Sequence, residues 1–343
     1  MTRSTHSPLK SLDQKLQAIA SDPTNRSFIL ADAKDPDMGL GIAAPGPRWP
    51  AHPGQSTWRS MPEFLEIIRQ IVRQGLVDLM LMSPSVNEKL AIDEQLFEGS
   101  AVTPAARAND TTDIWCGNSG SYTQQPSLAF RTTSIDHIQY GRMLQHPCEA
   151  SPATNLGLYS ITFNNDAARD REALIEYRRF REEAESKGFR HFLEVFAPNA
   201  LEGRQLADIG RYVNDSIVRT LAGVTRAGRP VFLKIPYFGP AAMEELAAYD
   251  PSLVIGILGG SSGTTRDAFQ MLHDARRHGA RAALFGRKIN HAEDQLAFIE
   301  QLRMLADGQI DPIDAVERYH DHLQKHRIPP KRSLEEDLQA TSR

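Results

Sequence analysis

Residues 230–258 read PVFLKIPYFGPAAMEELAAYDPSLVIGIL, and this stretch decides the fold. Two short apolar runs, 230–235 and 253–258, flank a segment at 240–249 whose composition favours a helix. The next unit repeats the pattern, with a helical segment at 265–278 before the apolar run AALF at 282–285. Short apolar strands that alternate with helices are typical of parallel β/α units.

The same alternation extends over most of the chain and predicts eight strands. They lie at 28–34, 76–83, 101–107, 156–163, 191–196, 230–235, 253–258 and 282–285, with further helices at 61–74, 169–187 and 205–227. Eight strands joined by helices predict an α/β fold, a (β/α)8 TIM barrel over residues 27–326. We expect an N-terminal helical extension at 1–26, an insertion after strand three at about 111–150, and a mobile C-terminal tail at 327–343.

Composition narrows the classes of function. The 343 residues carry 39 Lys and Arg against 43 Asp and Glu, a formal net charge of -4, which disfavours nucleic-acid binding. The two cysteines lack the spacing of a metal site or a disulfide framework, and no apolar run approaches the ~20 residues that a membrane span needs. We therefore expect a cytoplasmic protein that binds no membrane and holds no structural metal, and we expect no cofactor.

Strand alternation predicts which side chains point into the barrel. In VFLKI the aliphatic set suits the helix layer, so Lys234 points inward, and the same reasoning on FLEVF places Glu194 inside. In FILADAK we assign Ile29, Ala31 and Ala33 to the helix layer and Asp32 to the interior. Lys234, Glu194 and Asp32 are thus expected to share one interior.

A lysine inside a barrel is costly to bury and suited to a specific chemistry. A neutral Lys234 could attack a carbonyl and form a Schiff base, while a neighbouring carboxylate moves protons. The alternative is that Lys234 and Glu194 form a buried ion pair without chemistry. Asp32 has an alternative too, because aspartates at strand ends commonly cap the next helix or turn.

Two glycine turns indicate an anion site. Strand seven runs into GGSSGTT at 259–265 and strand eight into GRK at 286–288, and both turns lie at the carboxyl-terminal face of parallel strands. Loops after strands seven and eight are the recurrent phosphate site of TIM barrels. The guanidinium of Arg287 adds a positive charge and paired N–H donors beside these turns.

At this point the sequence resembles the class I, Schiff-base aldolases of the TIM-barrel type, closest to the tagatose-bisphosphate and archaeal-type fructose-bisphosphate aldolase group. The matching stretches are HFLEVFAPNA (191–200), VFLKIP (231–236), ILGGSSGTTRDAFQMLHDARRHGA (257–280) and LFGRKINHAEDQ (284–295), mainly in the C-terminal half. The resemblance implies that Lys234 forms the Schiff base, that Glu194 transfers protons and that Asp32 assists, with Asp35 as its rival. It also implies that the substrate phosphate is held by Gly259, Gly260, Ser261, Gly286 and Arg287.

The general acid stays open, with Tyr237 after strand six as one candidate. The expected activity is a metal-independent aldehyde-lyase that cleaves or forms a C–C bond in a phosphorylated sugar, and a homo-oligomer is compatible with the resemblance. Two alternatives remain: a sugar-phosphate isomerase or epimerase on the same barrel, and a non-catalytic sugar-phosphate-binding protein.

Overall fold

Eight parallel strands close into a barrel in the computed structural model, which describes residues 9–22, 24–117, 119–145, 151–260 and 263–341. Each strand pairs with the next one along the chain, and the last pairs with the first. The strands are β1 (Ile29–Lys34), β2 (Leu79–Met82), β3 (Thr103–Arg107), β4 (Leu156–Thr162), β5 (Arg190–Phe196), β6 (Leu233–Ile235), β7 (Ile255–Leu258) and β8 (Ala282–Phe285). The predicted TIM barrel is confirmed.

Helices cover the outside of this barrel. The longer ones are α1 (Ser11–Ser21), α2 (Met61–Gln74), α3 (Ala167–Ser186), α4 (Ile209–Ala222), α5 (Pro240–Tyr249), α6 (Thr265–Arg277), α7 (Gln295–Asp307) and α8 (Pro312–Lys325). Shorter helical turns lie at Asp37–Leu40, Pro84–Asn87, Ile135–Tyr140, Arg287–His291 and Leu334–Asp337. In the described part of the chain, no helix combines the length and the apolar composition that a bilayer crossing requires.

The barrel interior holds one stacked pair of aromatic rings together with aliphatic side chains from the other strands. Phe192 on β5 and Phe232 on β6 stack with their ring centroids 4.5 Å apart. Ile29, Ala31 and Ala33 of β1 belong to the same buried cluster. These aromatic and aliphatic side chains together fill the interior, which is how a barrel core reaches close packing.

This packing overturns the predicted register of β1. The interior set is Ile29, Ala31 and Ala33, whereas Asp32 and Lys34 point outward toward the helices. Lys34 Nζ lies 3.2 Å from Asp32 Oδ2 and donates to Gln295 Oε1 at 2.7 Å and to Asn290 Oδ1, and both ends of the pair are fully buried. Burial raises the pKa of Asp32 to about 6, although Lys34 lowers it. The expected placement of Asp32 in the barrel interior is wrong.

The N-terminal helix closes the floor of the barrel. Leu12 of α1 is completely buried in the interior cluster, and Leu16 and Ile19 pack beside it. Lys15 Nζ donates to Phe28 O at 2.9 Å and to Asp78 Oδ2 at 2.7 Å, just before β1 and β2 begin. The extension is thus a structural part of the barrel's amino-terminal face.

The C-terminal segment differs from the mobile tail that its charge composition predicts. Asp337 is buried, and its Oδ1 accepts a hydrogen bond of 2.7 Å from the backbone N–H of Thr265 at the start of α6. Thr341 donates to Asp267 Oδ2 at 2.6 Å, and Thr264 Oγ1 donates to Gln339 O at 2.7 Å. Residues 333–341 therefore cap the helix that follows β7.

The buried pair on β1 generates a prediction for stability. Lys34→Met leaves the Asp32 carboxylate buried without a cation and should lower the free energy of unfolding by about 3 kcal/mol or more. Asp32→Asn leaves the Lys34 cation buried with two neutral amide partners and should also lower it by about 3 kcal/mol. Urea denaturation of both variants measures the two losses, and a loss below about 1 kcal/mol in either variant would contradict the buried ion pair.

Candidate active site

Lys234 and Glu194 meet at the centre of the barrel mouth. They are register neighbours on β6 and β5, and their side chains point inward as strand alternation predicts. Lys234 Nζ lies 2.5 Å from Glu194 Oε1, and the two residues are 7% and 1% exposed. The prediction that these two charged groups share the interior agrees with this geometry.

Glu194 is held by a second cation on its other side. Its Oε2 accepts a hydrogen bond of 2.6 Å from Ser160 Oγ and lies 3.4 Å from Arg107 Nη2. Arg107 also donates from Nε to Asp35 Oδ2 at 2.6 Å and from Nη1 to Ser160 Oγ at 3.0 Å. Burial lowers the pKa of Arg107, but the carboxylates of Asp35 and Glu194 more than offset it, so the net pKa is raised.

An asparagine fixes the strand end that carries Ser160. Asn109 Oδ1 accepts from the backbone N–H of Ser160 at 2.7 Å, and its Nδ2 donates to Ser160 O at 2.8 Å. These two bonds continue the pairing between β3 and β4, whose ladder pairs Ala106 with Gly157 and Arg107 with Leu158. The amide side chain therefore sets the distance between Arg107 and Ser160.

Lys234, Glu194, Arg107 and Asp35 form one wall of a cavity of about 400 Å3 at the carboxyl-terminal face. The barrel strands and the loops after them contribute most of its lining, and the insertion contributes the rest. The lining residues are Ala33, Asp35, Pro36, Gly39, Leu40, Arg107, Asp113, Ile114, Gly117, Thr123, Glu194, Phe196, Lys234, Leu258, Gly259, Leu284, Gly286 and Arg287. The volume and the few convergent polar groups are typical of a small-molecule site.

The insertion after β3 forms a roof on the β3–β4 side of this cavity. Its two short antiparallel strands, Asp110–Thr111 and Ala129–Phe130, bring Trp115 against Phe130 with ring centroids 4.8 Å apart. Asp113 accepts 2.7 Å and 3.0 Å hydrogen bonds from Thr162 Oγ1 and Ser127 Oγ. The insertion is thus bound to the end of β4 and supplies side chains to the cavity.

Three of the five residues expected at the phosphate site line the cavity: Gly259, Gly286 and Arg287. The Gly259 amide donates to Leu284 O at 2.7 Å, so Gly259 contributes space rather than a free donor. A Cβ at Gly259 would lie 2.2 Å from Phe285 Cδ1, which explains why the position is glycine. Arg287 is exposed, and within the described residues its guanidinium has no hydrogen bond or ion pair.

The remaining predicted residues fall elsewhere. Gly260 comes directly after Gly259 in the chain but does not line the cavity, and Ser261 lies outside the described residues. Asp32 faces the helix layer, and its rival Asp35 lines the cavity instead. Tyr237 packs against the outer core and does not reach the lining, so the geometry gives no support to it as a general acid.

Sequence reasoning missed Arg107. Its signal was present, because Arg107 ends the apolar run AVTPAAR much as Lys234 interrupts VFLKI. A charged residue at the carboxyl end of a barrel strand is a candidate for the site. Within the described ranges, no group of three or more His, Cys, Asp or Glu side chains is arranged to hold a metal ion.

Comparisons with known proteins identify the fold. No family model and no curated protein matches the chain. Among solved structures, an archaeal fructose 1,6-bisphosphate aldolase matches with a TM-score of 0.59 and 14% identity over 86% of this chain and 99% of its own. A fructose-bisphosphate aldolase from Slackia heliotrinireducens matches with a TM-score of 0.60 and 15% identity over 94% and 95%. At these identities the likeness establishes a shared barrel fold.

Arg287 provides a test of the phosphate side of the cavity. Arg287→Ala should weaken the binding of inorganic phosphate about tenfold, because it removes the charged donor that faces the glycine turns. Isothermal titration calorimetry measures the affinity. Arg281→Ala is the matched control, since Arg281 lies at the opposite end of the same strand. Unchanged phosphate affinity in Arg287→Ala would contradict this assignment.

Proposed function

We propose that this protein is a class I aldolase that cleaves or forms a C–C bond in a phosphorylated ketose through a Schiff base on Lys234. The observation that carries the proposal is the buried contact between Lys234 Nζ and Glu194 Oε1, 2.5 Å apart at the floor of the cavity. The barrel shared with Schiff-base aldolases supports it, among them a solved fructose-1,6-bisphosphate aldolase described as Schiff-base forming, with a TM-score of 0.58 and 14% identity.

The first step needs a neutral amine, and the geometry offers a proton acceptor. Glu194 Oε1 takes a proton from Lys234 Nζ, and the freed nitrogen lone pair attacks the ketose carbonyl carbon. The carbinolamine that forms takes this proton back from Glu194 onto its hydroxyl and loses water, which gives a protonated imine and leaves Glu194 as a carboxylate. Ser160 and Arg107 hold the other oxygen of Glu194, so Oε1 stays directed at the reacting nitrogen.

The second step breaks the C–C bond. Glu194 removes the proton from the hydroxyl whose carbon departs, the C–C electron pair moves into the imine, and an aldehyde leaves. The resulting enamine takes a proton on carbon, and water hydrolyses the imine to release the ketone and regenerate Lys234. Synthesis of the ketose is the reverse sequence.

Asp35 replaces Asp32 in this mechanism as the assisting carboxylate. Asp35 lines the cavity and accepts from Arg107, whereas Asp32 lies behind β1. In this proposal the phosphate of the substrate binds beside Gly286 and Arg287, which follow β8, two strands from Lys234 on β6. Arg287 and Lys234 line the same cavity, so a phosphoryl group next to the ketose carbonyl is assigned to Arg287 and the carbonyl carbon to Lys234.

Trapping tests the covalent step. Sodium borohydride added with dihydroxyacetone phosphate should give a stable adduct confined to Lys234, because only a protonated imine is reduced. Intact-mass spectrometry with peptide mapping measures the adduct. Lys234→Met should abolish it and lower turnover by several orders of magnitude, while the exposed control Lys89→Met should keep both. Turnover of a sugar phosphate without an adduct would favour a sugar-phosphate isomerase or epimerase. Binding of a sugar phosphate without turnover would favour a non-catalytic binding protein.

The choice between the two aspartates can also be tested. Asp35→Asn should slow formation of the borohydride-trapped adduct about tenfold or more, since it loosens the Arg107 contact that orients Glu194. Asp32→Asn should leave that rate within about threefold, because its side chain contacts the helix layer. Quenched time courses of adduct mass give both rates. A slower adduct formation in Asp32→Asn than in Asp35→Asn would instead identify Asp32 as the assisting carboxylate.

A further inference from the structure

Charge is distributed unevenly across the cavity. Three cations line its described part: Arg107, Lys234 and Arg287. Arg107 is 5% exposed, and its guanidinium contacts Asp35, Ser160 and Glu194. Lys234 forms an ion pair with Glu194. Arg287 is the one lining cation with no hydrogen bond or ion pair to another described residue. A phosphoryl group carries about two negative charges at neutral pH and needs such a partner.

Asp113 lies across the barrel mouth from Arg287. Arg287 follows β8, and Asp113 accepts from Thr162 at the end of β4, four strands away in a ring of eight. Both hydrogen-bond donors to Asp113, Thr162 and Ser127, are neutral hydroxyls, so its negative charge is not compensated by them. The side of the cavity opposite the phosphate turns therefore presents a fixed carboxylate.

The neighbours of Asp113 in the cavity are uncharged. Ile114, Gly117 and Thr123 come from the same insertion, and Leu40 from the turn after β1. The internal residues outside the described ranges, numbered 23, 118, 146–150 and 261–262, include neither lysine nor arginine in the sequence. Arg107 is the one cation of the described lining on this side, and because it is buried and paired with Asp35 and Glu194 it does not balance a second phosphoryl group there.

From this distribution we propose that the substrate carries a single phosphoryl group, bound at Arg287, and that its departing half is uncharged and hydroxylated. The inference deepens the proposed function and rests on it for the position of the carbonyl. Each carboxylate oxygen of Asp113 keeps one lone pair after its hydroxyl contact and accepts from a substrate hydroxyl. A second phosphate at the far end of the ketose would meet the same carboxylate and be repelled. The substrate class is ketose 1-phosphates rather than ketose bisphosphates.

Hexitol phosphates test this selectivity without the covalent step. A hexitol 1-phosphate and the matching hexitol 1,6-bisphosphate lack a carbonyl, so calorimetry on the full chain reports non-covalent binding. We expect the monophosphate to bind about tenfold more tightly than the bisphosphate. Asp113→Asn should reduce the difference to about threefold or less. Asp136→Asn, an aspartate of the same insertion that pairs with Lys187, should leave it unchanged.

The outcomes separate this proposal from the proposed function. Equal or tighter binding of the bisphosphate by the unmodified protein overturns the single-phosphate inference, whatever happens in the variants. Borohydride trapping with dihydroxyacetone phosphate on the same sample reports independently on Lys234. If the monophosphate preference is present but no adduct forms, the aldolase proposal is refuted and the proposed substrate class is retained. If the adduct forms but the bisphosphate binds more tightly, the aldolase proposal is retained and the proposed substrate class is refuted.

Discussion

Glu194 lies between two cations, and the proposed chemistry and the packing of the barrel mouth both depend on that position. One carboxylate oxygen faces Lys234 and the other faces Arg107, which in turn binds Asp35. Two cations and two carboxylates make an electrically neutral group, which lowers the cost of placing four ionisable side chains away from water. A proton that passes from Lys234 to Glu194 leaves this total unchanged. The amine can therefore be freed without creating a net charge inside the barrel.

Local sequence predicts the strands and the register where one polar residue interrupts an aliphatic run, as at Glu194 and Lys234. It fails on β1, because ILADAK offers two alternating sets that are both plausible inside. In the structure the apolar set joins the interior cluster, and Lys34 finds its hydrogen-bond partners Asn290 and Gln295 outside the barrel, 256 and 261 residues away in the sequence. Arg107 is missed for a similar reason, since its partners Asp35 and Glu194 lie 72 and 87 residues away. Size and charge complementarity across a barrel are not visible within one strand.

The site combines a rigid floor with a roof that belongs to no barrel strand. The floor is built on β1, β3, β4, β5 and β6, where backbone hydrogen bonds between the strands fix the positions from which the side chains project. The roof is attached through individual side-chain contacts, such as those of Asp113 with Thr162 and of Asn164 with Ser127. Changes in such an inserted segment alter what the cavity admits while the chemistry below it is preserved. The proposed function and the proposed substrate class thus assign bond cleavage and substrate choice to different parts of the chain.

The two described ends of the chain lie on opposite faces of the barrel. Helix α1 closes the amino-terminal face through Leu12 and Lys15. Thr341, in contrast, is bonded to Asp267 in the first turn of α6, directly after the glycine turn. An affinity tag, a fluorophore or a surface linker joined after residue 341 would therefore project beside the cavity mouth and compete for that cap. The same attachment before residue 9 leaves the mouth clear, so immobilisation through the N-terminus suits any binding measurement on this protein.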